Sequence, residues 1–193
     1  MSQYRTLAAA TLDSGVNLQR PHQTLPAKVQ ADSPAIDVMT DLSRTAAVTV
    51  SPHASAEEAE QKMISHGVRL LFVTNHFGHV TGIVTSRDVA GEKIVALVSA
   101  GTPREELTVH DVMTHQHQVD VLEMGDVARA TVGDVVATLK RMGRQHALVI
   151  DRDKHGQQEV RGIMSATQIG KTLGIRIDTT DIAGSFARLV GFG

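Results

Sequence analysis

The sequence predicts an α+β fold: two β-α-β-β-α repeats packed as a pseudo-twofold pair. Three observations lead there. The tetrapeptide "DVMT" occurs at 37–40 and again at 111–114. After each copy the same patterns follow in the same order: a short apolar run, an amphipathic segment closed by glycine, an apolar run, a polar turn, and a second apolar run. Each of those final runs carries a related motif, "GIVTSRDV" from Gly82 and "GIMSATQI" from Gly162. A unit of about 55–60 residues buries its own core poorly, so two copies on one chain are expected to pack sheet to sheet.

Residues 1–33 are polar and interrupted by Pro21 and Pro26, and Pro34 follows directly. They read as an N-terminal arm with at most one short helix. The first repeat spans 34–101. "AVTV" at 47–50 is a short strand. A helix follows over "SAEEAEQKMISHG", with Ser55 as N-cap, Glu58 completing a capping box and Gly67 as the stop. Ala56, Ala59, Met63 and Ile64 form its apolar face. "VRLLFVT" is a buried strand, "NHFG" a turn and "HVTGIVT" the return strand. "SRDVAGEKIVALVSAG" is one helix ending near Gly101.

The second repeat spans 102–175. It has a strand within "QVDVLEM" and a helix over 131–143 capped by Thr131 and Asp134. "RQHALVID" and "EVRGIMS" are strands flanking the turn "RDKHGQQ", and "ATQIGKTLG" begins a helix. The tail, 176–193, reads as a short amphipathic helix. Its Phe186, Leu189, Val190 and Phe192 are either core cover or a subunit contact.

Composition excludes several functions. Aromatics are 3% and Trp is absent, so a stacking platform for single-stranded nucleic acid is poorly supported. The net charge of −2 and the pI near 6.5 give no field for DNA or an anionic membrane. The chain has no cysteine, which removes disulfides, thiolate metal sites and a cysteine nucleophile. No apolar run approaches the ~20 residues of a membrane span, and no secretory leader is legible. A cytoplasmic location is expected. No Walker loop, Rossmann fingerprint or Gly-x-Ser-x-Gly is present, so no enzyme is expected.

Thr85 and Asp88 lie three residues apart at a strand-to-helix junction. The plain reading is a cap, with Thr85 or Ser86 at the N-cap and Asp88 favoured by the helix dipole. The functional reading is a ribose clamp, because a carboxylate can accept from both vicinal hydroxyls of a ribose. Arg87 between them reads as a solvated helix residue. "THQHQ" at 114–118, with His110 and Asp111 upstream, invites a metal reading. The absence of Cys and of an HExxH pattern leaves it as a solvated linker, and no metal site is assigned.

Over about residues 34–175 the doubled "DVMT … G … GhhT/S" pattern resembles a tandem pair of CBS domains, also called a Bateman module. The resemblance implies a stand-alone regulatory or sensor protein. It would bind an adenosine-containing ligand (AMP, ADP, ATP, NAD or S-adenosylmethionine) in a cleft between the repeats. It also implies a homodimer, an unidentified target enzyme or transporter, and no required cofactor. Carried over residue by residue, Thr85 and Asp88 would hold the ribose. Val112, Met113 and Thr114 would offer backbone to the adenine.

Arg69 and His146, each on the strand after its repeat's first helix, would meet phosphate. His146 would be pH-sensitive near its ordinary ~6.5. Arg144, two residues before His146, would share its face. In the second copy Ser165 keeps the hydroxyl, but Gln168 replaces the carboxylate, which implies a weaker second site. The competing reading is a structural or interaction dimer with vestigial sites.

Overall fold

The structure, a computed structural model, describes residues 7–17 and 21–179. The expected tail helix, with Phe186, Leu189, Val190 and Phe192, lies outside the described residues. The described part of the arm before Pro34 contains no helix.

Two four-stranded sheets organise the chain. One contains β2 (Thr49–Val50), β3 (Leu70–Thr74), β4 (Val80–Thr85) and β5 (Thr114–His115), in the order β2-β3-β4-β5. The other contains β1 (Thr40–Asp41), β6 (Val121–Glu123), β7 (His146–Arg152) and β8 (Gln158–Ser165), in the order β1-β8-β7-β6. β2–β3 and β6–β7 are parallel, and the other pairs are antiparallel. The helices are α1 (Ala56–His66), α2 (Ser86–Ala90), α3 (Glu92–Ser99), α4 (Val109–Val112), α5 (Met124–Val127), α6 (Val132–Met142) and α7 (Ala166–Leu173). No helix among the described residues is long and apolar enough to cross a membrane.

The repeats exchange their leading segments. β1, just before the first repeat's own strands, pairs with β8 of the second repeat, and β5 pairs with β4 of the first. The cores follow the same exchange. Ala35, Val38 and Met39 are buried with Val135, Leu139, Val149, Met164 and Ile169. Val109, Val112 and Met113 are buried with Ala59, Met63, Leu71, Val84 and Val89. The boundaries expected at 34 and 102 therefore divide the sequence repeats, not the packed units.

A third cluster of Leu70, Phe72, Ile83 and Leu148 holds the two sheets together. This explains why "LLFV" and "ALVI" are unbroken apolar runs. Alternate residues of each strand face its own helices and the opposite sheet, so both faces are dry.

α1 begins where its capping box places it. The Ser55 Oγ accepts from the Glu58 N–H at 3.0 Å, and the Glu58 carboxylate accepts from the Ser55 N–H at 2.8 Å. Gly67 closes it with φ of 64°, a left-handed conformation that glycine adopts without strain. Ala56, Ala59 and Met63 are buried as expected, but Ile64 is 67% exposed. One residue past Met63 is a turn of about 100° around the helix, enough to carry Ile64 off the core face. The helix expected over 86–101 is broken at Gly91, whose backbone is extended (φ −101°, ψ −164°). The break re-aims α3 so that Ile94 enters the first core.

The glycine of each "GI" motif has a steric reason. A β-carbon at Gly82 would collide with the carbonyl oxygen of Thr114 on the incoming β5. A β-carbon at Gly162 would sit 2.7 Å from the Met39 sulfur and 2.8 Å from the Thr40 carbonyl oxygen on the incoming β1. Gly82 opposes His115 and Gly162 opposes Asp41, so both glycines face the exchanged strand at equivalent places. β1 is further held by Asp41, whose carboxylate accepts from the Arg161 guanidinium and from the Ser43 N–H (2.8 Å) and hydroxyl (2.7 Å). Burial raises the Asp41 carboxyl, but hydrogen bonds from Arg161 and Ser43 outweigh it and bring it down to about 2.

Two predictions follow from the exchange. Gly82→Ala and Gly162→Ala should each lose about 2–3 kcal/mol, roughly 5–10 °C in melting temperature. Gly125→Ala, whose β-carbon would meet only the Arg129 side chain at 3.9 Å, should melt at or above the parent temperature. Unchanged melting of the first two would remove the steric account. The Asp41 carboxyl is lower in the folded state, so its stabilisation is complete above about pH 4 and is lost as pH falls from about 4 towards 2. Urea denaturation across that window should show a steeper loss for the parent than for Asp41→Asn.

Candidate functional site

The end of β4 and the end of β8 are equivalent, and each opens into a helix. Leu70 pairs with Thr85 on one sheet, and His146 pairs with Ser165 on the other. The Ser86 N–H donates to the Arg69 carbonyl at 3.0 Å, and the Ala166 N–H donates to the Gln145 carbonyl at 2.9 Å. His146 thus occupies the place of Leu70, and Gln145 the place of Arg69. Two clefts result, each with one wall from each repeat.

The first cleft encloses about 160 Å³. Thr85, Arg87 and Asp88 line it from the first repeat; Arg144, Gln145 and His146 line it from the second; Thr114, Gln118 and Asp120 also contribute. Of the expected site residues, Thr85, Asp88, Thr114, Arg144 and His146 are brought together here. Val112 and Met113 are not among the lining residues; they are 1% and 4% exposed in the first core. Arg69 lines the other cleft.

Asp88 is part of a cap. Its Oδ2 accepts from the Thr85 N–H and the Thr85 hydroxyl, both at 2.7 Å. The same Thr-x-x-Asp arrangement recurs at Thr108–Asp111 and Thr131–Asp134, neither of which lines this cleft. The cap therefore accounts for one carboxylate oxygen. The other, Oδ1, has no hydrogen-bond partner among the described residues. Arg144 donates to Asp120 at 2.9 Å, a half-exposed ion pair of small worth that an incoming anion can contest.

The second cleft encloses about 540 Å³ and is the larger of the two. Arg69, Ser165, Thr167, Gln168 and Lys171 supply its polar groups, and His146 reaches it as well. The Gln168 N–H donates to the Ser165 hydroxyl at 3.4 Å, so Gln168 also begins a helix. Residues 22–25 of the arm form one side. They are held by Gln23, whose amide donates to the Met39 carbonyl at 2.9 Å and accepts from the Asp41 N–H at 2.7 Å. The Gln23 side chain thus acts as a short extra strand on β1. Nothing in the polar arm distinguishes Gln23 in sequence.

His146 corrects one expectation. Burial, then the positive charge of Arg69, then that of Arg87 push its imidazole down to about 4. It is neutral at physiological pH, and titration near 6.5 is not its behaviour. The register is the cause, since the position is that of a buried leucine in the first repeat. Arg87, read as a solvated helix residue, is exposed but lines the first cleft and lies close enough to act on His146. The linker histidines pair among themselves: His110 and His115 meet edge to face at 5.0 Å, and His115 stacks on His117 at 5.8 Å. Among the described residues no three metal-ligating side chains converge.

Comparison with known proteins shows what the chain is similar to. Residues 35–94 match the model of the CBS domain family. A search of curated proteins by sequence finds no match. Several solved structures share the fold. A CBS-domain containing protein from Agrobacterium tumefaciens is 24% identical, with 81% of this chain and 98% of that one covered and a TM-score of 0.52. A conserved CBS domain protein of unknown function from Thermoplasma acidophilum is 22% identical, with 78% and 74% covered and a TM-score of 0.52. The CBS domain pair of protein MJ0100, solved in complex with 5′-methylthioadenosine and S-adenosyl-L-methionine, is 21% identical, with 74% and 96% covered and a TM-score of 0.51. Residues 35–94 are therefore similar to the CBS domain family, and the two repeats together have the fold seen in solved CBS-domain structures.

Proposed function

We propose that this CBS pair is a regulatory protein that binds an adenosine-containing ligand at the cleft of Thr85 and Asp88 and catalyses no reaction. One observation carries the reading. Asp88 spends one oxygen on the helix cap and leaves Oδ1 without a partner among the described residues, at a cleft walled by both repeats. Oδ1 can accept from a ribose hydroxyl, with Thr114 and Arg144 opposite. The bound adenosyl ligands of the MJ0100 pair support the ligand class.

A sensor must bind one conformation more tightly than another, and a cleft shared by two repeats responds to their relative position. The reading includes a homodimer and a target protein that receives the signal. Ile64, Val95 and Val98 provide exposed apolar surface for such contacts. A structural pair with vestigial sites is the competing reading, and Gln168 favours it at the second cleft.

The test separates the cap from the clamp. Asp88→Asn keeps an oxygen for the Thr85 cap and removes the second carboxylate oxygen. Calorimetric titration with adenosine, AMP, ATP, NAD and S-adenosylmethionine should find at least one ligand. Its affinity should fall about 10- to 100-fold in Asp88→Asn. Asp134→Asn, the same cap outside the cleft, should leave affinity unchanged. No binding by any of the five ligands at millimolar concentration would favour the vestigial reading.

His146 gives a separate prediction on the free protein. Its folded value, about 4, lies below its ordinary 6.5, so the unfolded chain takes up the proton first. Stability should fall by about 2–3 kcal/mol as pH drops from 6.5 to 4.5. His146→Leu, which copies the residue at the equivalent place, should flatten that slope in urea titrations. An equal slope in both proteins would show that His146 is not the group responsible.

A further inference from the structure

A third cavity, of about 980 Å³ and larger than either cleft, lies at the hairpin end of the two sheets. It meets the clefts only at Leu42, Ala47, Phe72 and Val119, and it contains no residue of the two strand-to-helix openings. Residues 78–80 of the β3–β4 hairpin and 158–160 of the β7–β8 hairpin line it, one group from each sheet. Phe72, Leu148 and Ile150, each 3% exposed, give it an apolar floor. Glu159 is the one carboxylate among its described lining residues. Phe77 adjoins the lining at Gly78 and is 71% exposed. A lone exposed aromatic is ordinary on a protein surface; an exposed aromatic beside an apolar cavity is a knob beside a hole.

The knob is held by ordered backbone. The Asn75 side-chain oxygen accepts from the Phe77 and His79 N–H groups, both at 3.0 Å. The Gly78 N–H donates to the Asn75 carbonyl at 2.9 Å, and Gly78 itself turns left-handed with φ of 82°. The His76 ring lies against that of Phe77, with centroids 3.7 Å apart. A ring fixed in this way loses little freedom when it is buried. The turn itself does not need the ring. The β7–β8 hairpin builds the same turn on Asp153, whose Oδ1 accepts from the His155 and Gln157 N–H groups at 2.8 Å. There the place of Phe77 is taken by His155. The local fold therefore gives Phe77 no task of its own.

We propose that this end of the molecule is a contact between two copies of the chain, in which Phe77 of each enters the apolar cavity of the other. A twofold contact repeats every interaction, so a knob beside a hole on one copy meets a hole beside a knob on the next. Each inserted ring takes about 150–250 Å² out of water. The polar groups are complementary as well. Asp151 and Glu159 are direct cross-strand partners, and neither makes an ion pair among the described residues. Like charges placed opposite each other cost stability, and a donor from outside offsets that cost. The β3–β4 hairpin supplies one: residues 75–80 carry no carboxylate and two exposed imidazoles, His76 and His79. An imidazole N–H donates to a carboxylate whether the ring is neutral or charged. His76 travels with Phe77 and so reaches Glu159 of the other copy. The contact uses no group of the first cleft and does not rest on that cleft's reading. It is also separate from Ile64, Val95 and Val98, which lie on α1 and α3.

The full chain is measured by sedimentation velocity over a concentration series, as the parent and as Phe77→His. That substitution copies His155 of the other hairpin and so keeps the turn, and matching melting temperatures would show an intact fold. The parent should form an assembly whose mass halves in Phe77→His, with a dissociation constant raised at least about tenfold. The chain has no cysteine, so a single substitution places one thiol per chain. His76→Cys chains mixed with Glu159→Cys chains should form disulfides between copies under mild oxidation. Their yield should exceed by at least about fivefold that of His76→Cys mixed with Lys140→Cys, an exposed position on α6. A parent that is monomeric at every concentration would overturn the contact. Equal masses for the parent and Phe77→His, or equal cross-linking in the two mixtures, would each overturn it too and leave the cavity to another occupant.

Discussion

Everything in this fold depends on a close approach of two backbones, made twice. The strand that precedes each repeat is laid against the other repeat's sheet, and the opposing glycine leaves no β-carbon to keep it away. With Gly82 and Gly162 in place, Thr114 and Thr40 come near enough to complete two four-stranded sheets. The apolar residues beside those strands then fill cores that would otherwise be open on one side. Neither half is a closed unit, and the two clefts exist because each wall is tied to the opposite repeat.

The same arrangement distributes charge and shape unequally between the two clefts. The first has the carboxylate and the smaller volume; the second has an amide, the larger volume and part of the N-terminal arm as a wall. His146 stands between them as a neutral, half-buried ring in the place of a leucine. Pseudo-symmetry fixes where the clefts are, and departures from it decide what each can hold. Gln145 against Arg69, His146 against Leu70 and Gln168 against Asp88 are the departures that matter.

The repeat order, both main capped helices and the four principal strands were legible because short-range rules decide them. A Ser or Thr cap with an acidic partner three residues on, a closing glycine and an unbroken apolar run each act over a few residues. The partners of β1 and β5 were not legible. Their alternatives differ only in long-range pairing, and two residues of strand carry no pattern that names a sheet. Ile64 was misplaced for a local reason, a single step around the helix. The candidate clefts were half legible: the motif marked Thr85 and Asp88, which line the first, but Arg87, Lys171 and Gln23 reach the cleft walls through neighbours that lie far off in sequence. The burial of His146 follows from strand register, which no composition argument reaches.

The exchange also has a consequence for how the chain is made. Asp41 and Arg161 are 120 residues apart, yet they hold the same strand. At a synthesis rate of 5–20 residues per second, the segment around Met39 waits roughly 6–24 s before its partner strand has been translated. During that interval Ala35, Val38 and Met39 have no core to enter. The first sheet is completed sooner, because β5 follows β4 closely. A nascent chain therefore passes through a stage with one sheet finished and an apolar leader unpaired, and that leader is the part a folding helper would meet first.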